Sequence, residues 1–143
     1  MGLFRRDKKV QWQYGMMPGE IEVEAVGEKS YQPALEALCG GKWTEPHGCH
    51  DLPVRAWLRR EPENKYDSNA VQVRVGEAIV GYLSRADAEA FQPMLRALEA
   101  DHIVGCCDAH IRGGWDRGDG DTGYFGIFLS MPEARADVKI AVS

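Results

Sequence analysis

Cysteine is scarce in this chain, long apolar runs are missing and basic residues are outnumbered; each shortage excludes a class of protein. The four cysteines, Cys39, Cys49, Cys106 and Cys107, are too few and too irregularly spaced for the disulfide framework of a small secreted domain. Cys106 and Cys107 are adjacent and would point to opposite faces of a strand, so reduced thiols are expected. No apolar run approaches the roughly eighteen residues that a membrane helix needs, and the segment from Met1 to Lys9 lacks the apolar core of a signal peptide. A cytoplasmic location with no membrane partner is therefore expected. Met1-Gly2 opens like a myristoylation signal, but Arg6 stands where that motif requires Ser or Thr. Lys and Arg number 17 against 22 Asp and Glu, a net charge of −5. That balance excludes a protein that coats duplex DNA by charge alone, because such binding comes from neutralising many phosphates. Any nucleic-acid contact must be local.

What is present suits one domain. A chain of 143 residues with 44% hydrophobic content buries a core without disulfide or metal support. Residues 1–19 mix a basic cluster, Arg5, Arg6, Lys8 and Lys9, with Trp12, Tyr14, Met16 and Met17 without a period, and read as an irregular amino-terminal arm. Residues 20–143 read as a single domain. Ile21 to Val26 alternates apolar and charged residues, the signature of a half-buried strand. Ala34, Leu35, Leu38 and Cys39 fit a short helix closed by Gly40-Gly41. From Pro53 to Arg60, Val54, Ala56 and Leu58 alternate with Arg55, Trp57 and Arg59, giving one apolar face and one basic, aromatic face. Strand alternation returns over 70–75 and, after Gly76-Glu77, over 78–83, which makes a hairpin. Ser84, with Asp87 three residues on, caps a helix over 85–99 whose Ala88, Phe91, Leu95 and Leu98 share one face. Strands follow over 104–111 and 124–129, separated by a glycine- and aspartate-rich loop over 113–123, with an edge strand within 138–142. That loop lacks the Gly-Lys-Ser/Thr of a phosphate loop and the closing Glu of a calcium loop. Five or six short strands, one main helix and one short helix make a small, mainly β, OB-like and partly open barrel the expected fold.

One block carries a resemblance. Arg59-Arg60-Glu61-Pro62-Glu63-Asn64-Lys65-Tyr66-Asp67-Ser68-Asn69-Ala70-Val71, followed by Val80-Gly81-Tyr82-Leu83-Ser84-Arg85, resembles the signature of the HIRAN family. With Val26-Gly27 before Tyr31 and the closing Gly123 to Ile127, the resemblance spans about residues 20–130. It implies an OB-like barrel that captures a single-stranded DNA 3′ end, without catalysis. The residue types suit that role. A carboxylate such as Asp67 accepts a terminal hydroxyl strongly and repels phosphate, which gives end selectivity. Tyr66 and Tyr31 offer faces on which a terminal base stacks. Asn64 either fixes the loop or reads a base edge. The resemblance places Lys29 on the first loop and Arg85 at the start of the long helix, where backbone N–H groups also favour an anion. Arg59 and Lys65 are further cations nearby. Ser30 stands where an aromatic beside Lys29 is used in DNA-end-binding members, thinning one wall unless Tyr31 or Tyr82 replaces it. Walker, helicase and RING motifs are lacking, so the ATP-dependent activity of larger relatives is not expected here.

Other readings stand beside this one. Tyr66 could cap the barrel while Asp67 bonds backbone N–H groups in an Asx turn, and both uses of Asp67 can hold at once. Asn69 and Gly81 suit turn formation and close backbone approach. Cys39, His47, Cys49 and His50 hold enough donors for a tetrahedral zinc site if their loop folds back on the helix end, although the spacing matches no recognised zinc pattern. That set would serve a zinc-binding module or a metal-dependent hydrolase. A protein-interaction adaptor is the remaining alternative, with Trp43 and Trp115 on loops 42–53 and 113–123 as its partner surface. No serine, cysteine or paired carboxylate sits in a recognisable nucleophile or acid–base arrangement, so no enzyme is expected.

Overall fold

Alternation of apolar and polar side chains becomes strand wherever the sequence carries it. The computed structural model describes residues 11–142, apart from the side chains of Glu28 and Ala141; the basic cluster Arg5, Arg6, Lys8 and Lys9 lies outside the described residues. In chain order the elements are β1 (Gln13–Met16), β2 (Ile21–Glu24), α1 (Glu28–Cys39), β3 (His50–Arg60), β4 (Val71–Val75), β5 (Ala78–Tyr82), α2 (Arg85–Ala100), β6 (Ile103–Gly113), β7 (Phe125–Met131) and β8 (Ala141–Val142). Along β3, Ala56 and Leu58 are buried while Arg55 and Arg59 are exposed, because successive side chains of a strand project to opposite faces. β7 repeats the pattern with Phe125, Ile127, Leu129 and Met131 all inside.

Six strands form one antiparallel path in the order β2-β7-β6-β3-β4-β5. Its two ends meet. Val26, two residues past β2, exchanges hydrogen bonds with Tyr82 at the end of β5, N to O at 2.7 and 3.0 Å. That single bridge curls the sheet into a small, partly open, OB-like barrel. Gly81 permits it, since a Cβ there would lie 3.0 Å from the Val26 carbonyl oxygen and 3.2 Å from Ala25.

Two strands lie off the path and bring the sheet to eight. β1 runs parallel to the start of β6, Gln13 opposite Ile103 through Met16 opposite Cys106, and β8 pairs antiparallel with β1. The irregular arm expected over 1–19 thus contains a strand. Gly15 packs so tightly beneath Ile103 and Ile140 that no side chain fits there, and Met17 is buried in the core.

The helices close the open sides. α1 begins at Glu28, earlier than the short helix expected from Ala34, because its first turns are polar and carry no apolar period. Gly40, at φ 74°, ends it as expected. α1 packs on β5 and β7, and Gln32 behaves as a strand partner for Phe125, its Nε2 donating to the Phe125 carbonyl at 2.9 Å and its Oε1 accepting from the Phe125 N–H at 2.8 Å. α2 starts at the Ser84 cap, whose Oγ accepts from the Asp87 N–H at 3.1 Å. Its Ala88, Phe91, Met94, Leu95 and Leu98 are buried, and the helix packs on β6. Each large apolar side chain so buried contributes about 1.5–3 kcal/mol. Among the described residues no helix is long and apolar enough to cross a membrane.

Candidate nucleic-acid interface

The loop between β3 and β4 is rich in polar residues, and these hold its shape. At its base the Glu61 N–H donates to the Ala70 carbonyl at 2.8 Å. The Glu61 carboxylate then accepts from Asn64 Nδ2 at 3.0 Å, from the Tyr82 hydroxyl at 2.9 Å and from Gln72 Nε2. Asn64 spends its Oδ1 on the N–H groups of Tyr66 and Asp67, at 2.8 and 3.0 Å. Asp67 Oδ1 accepts from the Asn69 N–H at 2.9 Å, an Asx turn. From the helix side, buried Gln92 donates to the Asn69 carbonyl at 2.9 Å and accepts from Arg60 Nε at 2.9 Å, while Arg60 Nη1 reaches Glu99 at 2.7 Å. The loop is therefore clamped from two sides before any ligand arrives.

Glu61 titrates below the usual carboxylate range. Partial burial works to raise it, but the hydrogen bonds from Asn64, Gln72 and Tyr82 and the charge of Arg59 together outweigh that. Tyr82 shifts the opposite way, pushed up by burial and then by the Glu61 carboxylate that its hydroxyl bonds. Glu61 is thus the charged anchor of the loop and Tyr82 its neutral donor.

On this clamp sits a rim of three groups. The Tyr66 side chain stands away from the barrel, 90% exposed. Asp67 is 24% exposed, with the Oδ2 that the Asx turn leaves over lying 3.8 Å from Arg85 Nε. Arg85, 81% exposed at the first turn of α2, also reaches the Tyr66 carbonyl with Nη2 at 3.4 Å. Tyr31 and Tyr82 pair nearby on α1 and β5, ring centroids 6.1 Å apart and tilted by 40°. Lys65 is exposed on the loop itself, and Lys29 is exposed on the first turn of α1 instead of on a loop. Ser30 is exposed on the same helix. The structure thus brings Tyr66, Asp67 and Arg85 together, and joins Tyr82 to them through Glu61. Asn64 is committed to the loop, with its amide nitrogen on Glu61 and its oxygen on two backbone groups. Arg59 lies exposed on the outer face of β3, where its charge acts on Glu61.

The family model of the HIRAN domain matches residues 52–114. Over that segment the chain is similar to the HIRAN domain. No curated protein and no solved structure matches the chain. The matched segment runs from within β3 to just past β6 and so contains the loop, Tyr82, Arg85 and Gln92, while Lys29 and Tyr31 lie outside it. HIRAN domains are nucleic-acid-binding modules, and a rigid rim with an exposed aromatic and a cation at a helix start suits that class.

Two other expected groupings differ from expectation. Cys39, His47, Cys49 and His50 are not gathered into a zinc site: among the described residues no three His, Cys, Asp or Glu side chains group as metal ligands. Cys49 is exposed, and just after it His50 opens β3. Its Nε2 donates to the Gly41 carbonyl at 2.7 Å and its ring stacks on Phe125, while burial raises the Cys39 thiol above its ordinary value. Trp43 and Trp115, expected on a partner surface, are half-buried because their loops bridge each other, Trp43 N–H to Gly114 carbonyl at 2.8 Å and Asp116 N–H to Trp43 carbonyl at 2.9 Å.

Sequence reasoning missed the clamp residues Glu61, Gln72 and Gln92. Gln92 had a readable signal: it lies four residues after Ala88 and three before Leu95, on the helix face that is otherwise apolar. A polar residue on such a stripe needs buried partners.

Proposed function

We propose that the chain is a non-catalytic module that receives the 3′ end of a single DNA strand at the rim of Tyr66, Asp67 and Arg85. The observation that carries this reading is the divided use of Asp67, whose Oδ1 holds the loop while its Oδ2 is left over beside Arg85. A terminal hydroxyl can donate to that oxygen, whereas a terminal phosphate would set its negative charge against it. Arg85 and the amino end of α2 favour the penultimate phosphate. Tyr66 supplies the stacking face, and the Tyr31–Tyr82 pair supplies a second wall. Nothing in this arrangement includes a nucleophile with its base, so the rim serves capture. Holding a strand terminus would let the module guide a repair or defence protein to DNA ends.

The experiment is a titration of labelled single-stranded DNA against wild-type protein and Tyr66→Ala. Tyr66 is almost wholly exposed, so the variant keeps its melting temperature. Its loss should cost about 1–3 kcal/mol of binding. Unchanged affinity would remove the rim from the account.

A further inference from the structure

The outer face of the barrel carries a second aromatic surface that the rim does not use. Trp57 on β3 lies opposite Arg74 on β4, and the Arg74 guanidinium sits 4.9 Å over its ring. Tyr14 on β1 meets the same indole edge-on, centroids 6.4 Å apart at 79°. Trp12 and Tyr14 are 50% and 55% exposed, more than holding β1 against the sheet requires. Two hollows flank the indole. One is lined by Trp12, Tyr14, Arg59 and Pro62, the other by Tyr14, Arg55, Arg74 and Gly76. Glu63 and Glu99 also line the first and Glu77 the second. Arg55 and Arg60 are matched by Asp108 and Glu99, but among the described residues Arg59 and Arg74 make no ion pair. Arg59 acts on Glu61 only through its charge, and Arg74 donates to Gln72 Oε1 at 2.9 Å and to the Glu77 carbonyl at 2.7 Å, so the two arginines beside exposed aromatics form a local cationic strip on a protein of net charge −5.

This strip is continuous with the rim. Arg59 lies opposite Gln72, and Gln72 lies opposite Tyr82, so one cross-strand row leads from Tyr82 to Arg59, which lines the first hollow together with Trp57. The first hollow reaches Pro62 and Glu63 of that loop. We propose that this outer face is a second contact surface, on which bases upstream of the captured terminus stack on Trp57 and Tyr14 while Arg59 and Arg74 hold the intervening phosphates. The inference rests on the nucleic-acid reading of the rim and deepens it by giving the strand a path. Aromatics interleaved with arginines that form no salt bridge are what a single strand recognises, since every base has a π-face and every linkage a charge.

The test uses the whole chain and oligothymidylates of about three and about ten nucleotides, each with a 3′-hydroxyl or a 3′-phosphate, followed by fluorescence anisotropy at stated salt. Wild-type protein should bind the longer strand at least about tenfold more tightly than the shorter. Arg74→Gln and Trp57→Leu should each erase most of that gain while leaving the short strand's affinity unchanged. Arg74→Gln should also lower the salt slope for the long strand by about 0.7. Should Trp57→Leu fail to fold, Arg74→Gln carries the comparison alone. Folded variants that bind the long strand as tightly as wild type overturn the inference, and end preference persisting in them leaves the rim reading intact. Length dependence that needs Trp57 but shows no end preference upholds this surface and defeats the rim. No binding of any oligonucleotide defeats both and leaves a protein as the occupant.

Discussion

The Tyr82 hydroxyl donates to Glu61 at 2.9 Å while the Tyr82 backbone closes the barrel against Val26. One residue therefore joins the seam of the barrel to the loop that bears the rim. Removing the hydroxyl in Tyr82→Phe should cost about 1 kcal/mol of stability. Glu61→Gln, which disturbs three accepted hydrogen bonds at once, should cost about 1–3 kcal/mol. Amide hydrogen exchange over residues 64–69 should accelerate in Glu61→Gln. Unaltered protection there would show that the clamp does not hold the loop.

Acid should loosen the same loop. Glu61 has a folded-state pKa below its ordinary value, so its contribution is fully present above the unfolded carboxylate value of about 4.3 and is lost as pH falls through the lower folded value. Thermal melts between neutral and strongly acid pH should show wild-type stability falling in that window more steeply than Glu61→Gln. Parallel curves would contradict the assignment.

Arg85 is exposed, and among the described residues it makes an ion pair with Asp67 and a hydrogen bond to the Tyr66 carbonyl. Arg85→Gln should therefore leave melting nearly unchanged while weakening single-strand binding and lowering its salt slope by about 0.7, the loss of one phosphate contact. A variant with the wild-type slope would place the phosphate elsewhere.

Ser84 caps α2 through the Asp87 N–H. Ser84→Ala should lower stability by about 1 kcal/mol, measured by urea denaturation, with Ser84→Asp restoring most of it.

Elements governed by local pattern were legible in the sequence. The β3 alternation, the hairpin around Gly76, the Ser84 cap and the apolar face of α2 all follow from periods of two or 3.6 residues. β1 was not legible, because its pairing partner lies in β6 about ninety residues away and its fit depends on Gly15 lying beneath Ile103 and Ile140. The start of α1 was hidden for a related reason: Glu28 to Gln32 show no apolar stripe, and Gln32 earns its place through Phe125, far along the chain. Of the rim, the residue types at Tyr66, Asp67 and Arg85 were legible as a motif. The clamp was not, since Glu61 beside Pro62 and Glu63 reads as solvated loop until Gln72 and Tyr82 fold against it. Cys39, His47, Cys49 and His50 are close in sequence, yet among the described residues no three such donors group in space.

The chemistry of the strand terminus tests the rim most directly. Equilibrium titration of wild-type protein with one short single-stranded DNA, carrying either a 3′-hydroxyl or a 3′-phosphate at equal salt, should show the hydroxyl form bound about tenfold more tightly, in line with a charge-assisted hydrogen bond of about 1.5–3 kcal/mol. Asp67→Asn should shrink that ratio towards one. Equal affinity of wild-type protein for the two ends would contradict the account, because the free oxygen of Asp67 would then take no part in recognition.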